Sequence, residues 1–397
     1  MTNYSDLKFD WFSEISAIAG YGLQSRRVLK PLIEGGADIK IIPDEDYLPP
    51  HMKISDPFWE EQIKLSKDKP DNDLRIAYCL PNRARFSDKN KIKILHAMWE
   101  TDQYPREWAG IINGASNYFF AGCDNLVDSA IKAGVQVPVM PLYATLDTDS
   151  WNPEGSKLSI AEIPDNYVKF LFIGNFIPRK NLEQLVAGFT CAFSDTKDVA
   201  LVIKTWAQAN SADGKKHICD AIRMFQNKIT GIGKPKICVI TDLIEEEKMI
   251  ELIRSCDVYT TVSKGEGFDL PMMQSMAMEK LIVTTRFLAH ADYLNDSNSI
   301  NVPFTLQPCQ DSGAPLYDSY QFWSSPDMKG YIEALRAAYD MVKSGTGKPL
   351  QQAARNTIIE KYGKENNTER IAQLIRDVQA GKYEKKESSK ILIKDLV

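Results

Sequence analysis

Two short β-branched and aromatic runs, residues 257–262 and 281–285, enclose a loop with Gly265, Glu266 and Gly267 and then a helical pattern opened by Pro271. A strand, a loop, a helix and a second strand in that order fit a parallel sheet with the helix packed across it. Proline suits the first helical turn, where its missing N–H costs nothing. The free N–H groups of that turn point back into the loop as a site for anions. The two glycines let backbone approach a ligand on either side of Glu266, whose carboxylate stands at the carboxyl end of a parallel strand and is suited to accept from sugar hydroxyls.

Apolar runs alternating with helical patterns recur along the whole chain. In the first half, strands are expected within residues 8–17 and at 39–42, 75–80, 92–95, 118–121 and 137–142. In the second half they are expected at 168–174, 199–204, 236–241, 257–262, 281–285 and 300–302. The polar stretch 145–157 separates the two sets and reads as a linker. At 397 residues the chain is long enough for two cores. The expected fold class is therefore α/β, two doubly wound Rossmann-like domains facing across an interdomain cleft. Their expected bounds are 1–155 and 156–365, with a closing segment over 366–397. Closing helices are expected at 331–342, with Ile332, Leu335, Tyr339 and Val342 on one face, and at 368–380, burying Ile371, Leu374, Ile375 and Val378 and ended by Gly381. The tail 382–397 is charged and then apolar, which suits packing on its own domain ahead of weak self-association or contact with a membrane surface, the last disfavoured by its interspersed acids.

Composition narrows the function. With 44% hydrophobic and 25% charged residues the chain reads as globular, and a net charge of -5 argues against binding nucleic acid mainly through its phosphates. The seven cysteines are scattered, without a CxxC pair or a His-Cys grouping of metal-ligand spacing. They are expected as small buried thiols in a reducing compartment, and no metal site is expected. The first residues have no apolar signal core and no run of about eighteen apolar residues occurs, so no transmembrane segment and a cytoplasmic location are expected.

Other clusters carry chemistry at the same strand ends. After the run 168–174 comes Asn175-Phe-Ile-Pro-Arg-Lys-Asn181, then a helical pattern over 182–193. Arg179 offers a planar fork and Lys180 a mobile point charge, and the pair suits a diphosphate whose charge grows as it leaves. Lys204 ends the run 199–204 at the same edge, placed for donor phosphates or base. Gly20, Gly22 and Ser25 form a partial dinucleotide fingerprint, after a strand and opening a helix to Ile33. The run 92–95 leads into His96, Trp99, Glu100, Asp102 and Tyr104. His96 is a candidate catalytic contact there, and Trp99, Glu100 and Asp102 are acceptor-side candidates.

The stretch 263–277 resembles the donor-binding signature of family 4 glycosyltransferases, Glu-Gly-Phe-Gly-Leu-Pro and then Glu-Ala-Met-Ala, with seven residues between the two Glu. Glu266, Gly267, Phe268, Leu270 and Pro271 match it. Asp269 stands in place of the usual Gly, and either caps the helix or bears on donor choice. Gln274 replaces the second Glu, which in the family typically holds the nucleotide ribose; a Gln still accepts from a hydroxyl, at an expected loss of about 1 kcal/mol. The compact Pro-Arg-Lys-Asn form also occurs in the family, with Asn175 at the usual Arg position and Lys180 at the usual Lys position. The loop at Gly20 and Gly22 resembles one that faces the donor phosphates, and residues 134–138 with Pro141 resemble the lead-in to the interdomain segment.

The resemblance extends from Gly20 to Val302. It implies the two-Rossmann B-type fold, with the final helix crossing back to the N-terminal domain. It also implies a retaining, metal-independent hexosyltransferase that takes a UDP- or GDP-sugar as substrate and holds no tightly bound cofactor. Glu266 would position the sugar ring, and Arg179 and Lys180 would neutralise the diphosphate with help from backbone N–H groups at 268–272. The acceptor hydroxyl is open: a glycan, a lipid-linked sugar, a small molecule or a modified nucleobase in DNA. Competing readings are a nucleotide-sugar epimerase, a nicotinamide dehydrogenase, disfavoured by the incomplete glycine fingerprint, and a noncatalytic sugar-nucleotide binder, which Asn175, Asp269 and Gln274 keep open.

Overall fold

The apolar runs of the first half pair into one parallel sheet. The structure is a computed structural model that describes residues 2–18, 20–45, 48–161, 163–206, 211–310 and 314–383. Strands β1 (Lys8–Ser13), β2 (Asp38–Pro43), β3 (Leu74–Tyr78), β4 (Ile92–His96), β5 (Tyr118–Ala121) and β6 (Val139–Pro141) stand in the order β2-β1-β3-β4-β5-β6. Every neighbouring pair is parallel. Helices α1 (Gly20–Glu34), α2 (Pro57–Ser66), α3 (Arg106–Ala115) and α4 (Asp124–Lys132) accompany them.

The second half repeats the plan. Strands β7 (Val168–Ile173), β8 (Val199–Lys204), β9 (Lys236–Ile240), β10 (Val258–Thr261), β11 (Leu281–Thr284) and β12 (Ile300–Asn301) form a second parallel sheet, in the order β12-β11-β10-β7-β8-β9. Between them run α5 (Leu182–Ala192), α6 (Ala212–Asn227), α7 (Glu246–Arg254), α8 (Leu270–Ala277) and the short α9 (Ala289–Tyr293). An antiparallel pair, β13 (Phe304–Pro308) and β14 (Phe322–Pro326), precedes α10 (Met328–Ser344), α11 (Lys348–Tyr362) and α12 (Lys364–Gln379).

Both sheets are buried on both faces, which is why their strands read as continuous apolar runs. Along β7, Val168, Phe170 and Phe172 enter one core while Leu171 and Ile173 enter the other. Each such side chain contributes roughly 1.5–3 kcal/mol of burial. The strand order reverses between β1 and β3 in one sheet and between β7 and β10 in the other, and crevices for ligands open at such switch points, beyond the carboxyl ends of the strands.

The chain passes between the sheets twice, at adjacent places. Leu146 bridges Gly363: Leu146 N donates to Tyr362 O at 2.9 Å and Lys364 N donates to Leu146 O at 2.9 Å. Beyond that bridge α12 packs against α1, and Ile371, Ala372, Ile375 and Val378 join the core of the first sheet. Gly381, at φ 68°, follows its end.

The structure modifies two sequence expectations and adds two elements. The stretch 145–157 is more than a linker, since Trp151 within it is fully buried beside Ile160 and Ile163. The pair β13/β14 was not expected, nor was α11, whose polar sequence buries only Ala354, Ile358 and Tyr362. The buried face of α10 centres on Tyr331, Ala334, Leu335 and Ala338, with Ile332, Tyr339 and Val342 at its margins. The expected self-association of the tail falls on residues 384–397, outside the described residues. No helix among the described residues is long and apolar enough to cross a membrane.

Candidate active site

The loops at the two switch points meet across one cleft of about 440 Å³. From the second domain, the loop after β7 and the loop after β10 are joined by backbone and side chains. Lys264 N donates to Arg179 O at 2.9 Å, and Asn181 Nδ2 donates to Val262 O at 3.0 Å. Gly174 lets the Lys180 stem cross the end of β7, because a Cβ there would stand 2.9 Å from the Phe172 ring and 3.3 Å from the Lys180 chain.

Glu266 is the centre of this junction. Its Oε1 accepts from Lys180 Nζ at 2.6 Å and its Oε2 from Arg179 Nη1 at 3.1 Å. Burial alone pushes its carboxyl upward, but the Lys180 and Arg179 charges outweigh that and hold it down at about 2. Glu266 is thus a carboxylate at neutral pH, able to accept hydrogen bonds and unable to donate a proton. Arg179 is buried; desolvation works against its charge, but Glu100 and Glu266 raise its basicity on balance. Its Nη1 also donates to Gly265 O at 2.6 Å, and Nη2 lies 3.4 Å from Glu100 Oε1 in the other domain. Two cations and two carboxylates therefore balance across the domain junction.

The glycines around Glu266 serve a close approach that the sequence did not identify. A Cβ on Gly265 would overlap Glu100 O, and one on Gly267 would lie 3.1 Å from Met98 Cβ and 3.2 Å from Trp99 O. The backbone they admit is that of the first domain, after β4.

Asp269 occupies the left-handed region at φ 70°, a conformation in which glycine costs least and Asp is among the better tolerated residues. Its side chain caps α8 through Met272 N at 3.3 Å and is held by Tyr259 OH at 3.2 Å and His290 Nε2 at 3.1 Å. Gln274, on the first turns of α8, is buried and lines the cleft, as do Gly267, Phe268 and Leu270.

Of the other expected site residues, Gly20, Asn175, Lys180, Glu100 and Glu266 line the cleft. Gly20 stands at φ 54° where α1 begins, whereas Gly22 packs so tightly on the Glu14 and Ala17 carbonyls that a Cβ would overlap both. Arg179 and Gly265 lie behind Glu266 at the junction. Lys204 is buried, its Nζ 5.0 Å from the Trp206 ring, and burial pushes it down to about 8 against the pull of Asp242. Trp206, unlike Lys204, lines the cleft.

Three expectations at the end of β4 are corrected. His96 has no exposed surface: its ring stacks on Tyr78 at 4.1 Å, Nδ1 faces Phe120 O at 2.8 Å, and burial pushes it down to about 4. It is a core residue beneath the cleft, not a sugar contact. Trp99 donates from Nε1 to Thr101 Oγ1 and Gln321 Oε1 at 2.6 and 2.9 Å and stacks on Tyr317 at 4.8 Å. Asp102 accepts from Phe322 N at 2.6 Å and pairs with Lys132. Both hold the connection between β13 and β14 against the first domain instead of facing an acceptor.

The sequence reading missed Tyr21, Gln24, Arg26, Ile244, Glu245 and Glu246, all of which line the cleft. For Gln24, four residues after Gly20 on the same helix face, that spacing was the available signal; for Tyr21, Arg26 and 244–246 no local signal exists. Among the described residues no group of three or more His, Cys, Asp or Glu side chains is placed to hold a metal ion.

Residues 167–308 match the family model described as glycosyl transferases group 1. Curated protein sequences yield no match. Solved structures share the two-domain frame. Sucrose-phosphate synthase from Thermosynechococcus elongatus has a TM-score of 0.66 at 12% identity, covering 94% of this chain and 100% of that one. A glycosyltransferase from Rickettsia africae has a TM-score of 0.62 at 13% identity, covering 94% and 99%. HepE from Anabaena, solved in complex with UDP and glucose, has a TM-score of 0.60 at 10% identity, covering 94% and 100%. At these identities the likeness is one of fold. Residues 167–308 thus match a group 1 glycosyltransferase domain, and the chain has the two-Rossmann B-type fold of these structures.

Proposed function

We propose that this protein transfers a hexose from a nucleotide diphosphate sugar to an acceptor hydroxyl, with retention of anomeric configuration and without a bound metal. The observation that carries the reading is Glu266 held ionised between Lys180 and Arg179 at the mouth of α8, within one cleft lined by both domains.

The chemistry follows from that arrangement. Sugar hydroxyls donate to the Glu266 carboxylate, which fixes the ring. The diphosphate takes its charge balance from Lys180 and from the positive end of the α8 dipole, whose hold strengthens as the leaving oxygen gains charge. Gln274 accepts from the ribose, and Trp206 and Ile244 bound the base. Glu266, held down at about 2 by Lys180 and Arg179, is a poor base, so the proton of the acceptor hydroxyl passes to the departing phosphate oxygen on the same face. That route keeps the anomeric configuration. HepE, of the same fold, was solved with UDP and glucose, which supports a UDP-sugar as the first donor to try.

The test is incubation with UDP-glucose, GDP-mannose and ADP-glucose, with the anomer of the released or transferred sugar read by proton NMR at early times. Release of the α-anomer from an α-linked donor, unaffected by a chelator, is the expected result. The β-anomer would overturn retention, and dependence on added metal would overturn the metal-independent route.

A further inference from the structure

We propose that Gln24 binds the acceptor, and that the acceptor is a neutral molecule bearing a hydroxyl beside an apolar surface; this rests on the transferase reading above. Gln24 lies one turn into α1 from Gly20, on the same helix face, and both line the cleft opposite Glu266. The side chain is 2% exposed. Among the described residues neither its Nε2 nor its Oε1 has a hydrogen-bond partner. A buried amide left unpaired at both ends costs stability, and evolution of a stable helix face would favour an apolar side chain there unless a ligand completes the bonds.

The surroundings define the ligand. Ile18, Tyr21, Leu23, Ile54, Tyr78 and Met98 make the rest of this wall apolar or aromatic. Of its two charged side chains, Arg26 is anchored to backbone through one guanidinium nitrogen and Glu100 is paired. Arg26 Nη1 donates to Ile15 O at 2.6 Å and Ala17 O at 2.8 Å, and Glu100 is taken by Arg179 and by Tyr317 OH at 3.0 Å. Tyr21 OH accepts from Met98 N at 3.1 Å, which holds its ring in the wall. A primary amide donates and accepts at once, the complement of a hydroxyl, which does the same. One amide in an apolar wall therefore suits a hydroxyl on an uncharged, apolar-faced body and brings no charge to balance a phosphate.

The experiment uses the full-length protein with UDP-glucose, or GDP-mannose if GDP is the nucleotide it binds, and two acceptor probes: 4-nitrophenyl β-D-glucoside and glucose 6-phosphate. The expected result is transfer to the aryl glucoside with a kcat/KM at least about tenfold above that for the phosphate ester. Gln24→Met should raise the KM for the aryl glucoside about tenfold, leave the KM for the nucleotide sugar within about twofold, and melt no lower than wild type. Gln24→Leu is the second variant, should the first misfold. An unchanged acceptor KM in a folded variant, a preference for glucose 6-phosphate, or no transfer to either probe while the nucleotide sugar is hydrolysed would each overturn the proposal. Failure of the wild type to bind or hydrolyse any nucleotide sugar would instead strike the transferase reading on which it rests.

Discussion

Lys180 Nζ stands 2.6 Å from Glu266 Oε1, so the cation suited to the donor phosphates and the carboxylate suited to the donor sugar neutralise each other before any substrate arrives. The pair is preorganised: each side chain is oriented by the other, and a donor spanning both groups exchanges one partner for another without exposing an unpaired charge. A buried pair of this kind gives geometry more than stability.

Removing the carboxylate tests its part in the reaction. Glu266→Ala should lower kcat at least about 100-fold if the contact tightens in the transition state. Steady-state kinetics on a variant shown to be folded by near-UV circular dichroism checks this, and near-normal turnover would exclude the role.

Gln274 lies in the same cleft and offers a neutral amide to the ribose. Gln274→Ala should weaken nucleotide binding by about 1 kcal/mol, roughly fivefold, through one lost neutral hydrogen bond. Calorimetric titration reads it directly, and an unchanged affinity would remove Gln274 from the ribose.

Gly265 is required by the contact between domains. A methyl group there would overlap Glu100 O, a backbone atom that cannot rotate away. Gly265→Ala should cost about 1–3 kcal/mol in urea denaturation, as overpacking does elsewhere. An effect under about 0.5 kcal/mol would show that the two loops separate freely.

His96 sets a pH dependence. Burial pushes it down to about 4 from 6.5, so the folded state resists the proton that the unfolded state takes up. The stability it contributes is complete above pH 6.5 and is lost as pH falls through 4, by roughly 3 kcal/mol in all, most of it between pH 6.5 and 4.5. His96→Phe keeps the stacking on Tyr78 and removes the titration, so the difference in unfolding free energy between variant and wild type should change by most of that amount between pH 7.5 and 4.5. A difference independent of pH would mean that His96 is not held neutral.

The fold class was legible because its strands are apolar on both faces. Tyr118–Ala121 and Val199–Lys204 have the very bounds expected from their residues, and the glycine-framed loop at Glu266 fell where a parallel strand ends. What was not legible depends on distant partners. Trp99 and Asp102 look like sugar contacts only until Gln321 and Phe322, more than two hundred residues away, occupy them. Phe304–Pro308 ends in Pro and faces solvent in part, so β13 carries no strand pattern. Gln24 has the appearance of any polar residue on a helix, and its burial in the cleft wall without a partner shows only in the structure.

Titration of the protein with UDP, GDP and ADP by calorimetry, alongside Lys180→Ala, tests the central claim most directly. The account predicts that one nucleoside diphosphate binds and that the substitution weakens it at least about tenfold, the share of one charge-assisted contact. Absence of binding by all three, or binding indifferent to Lys180, would contradict it.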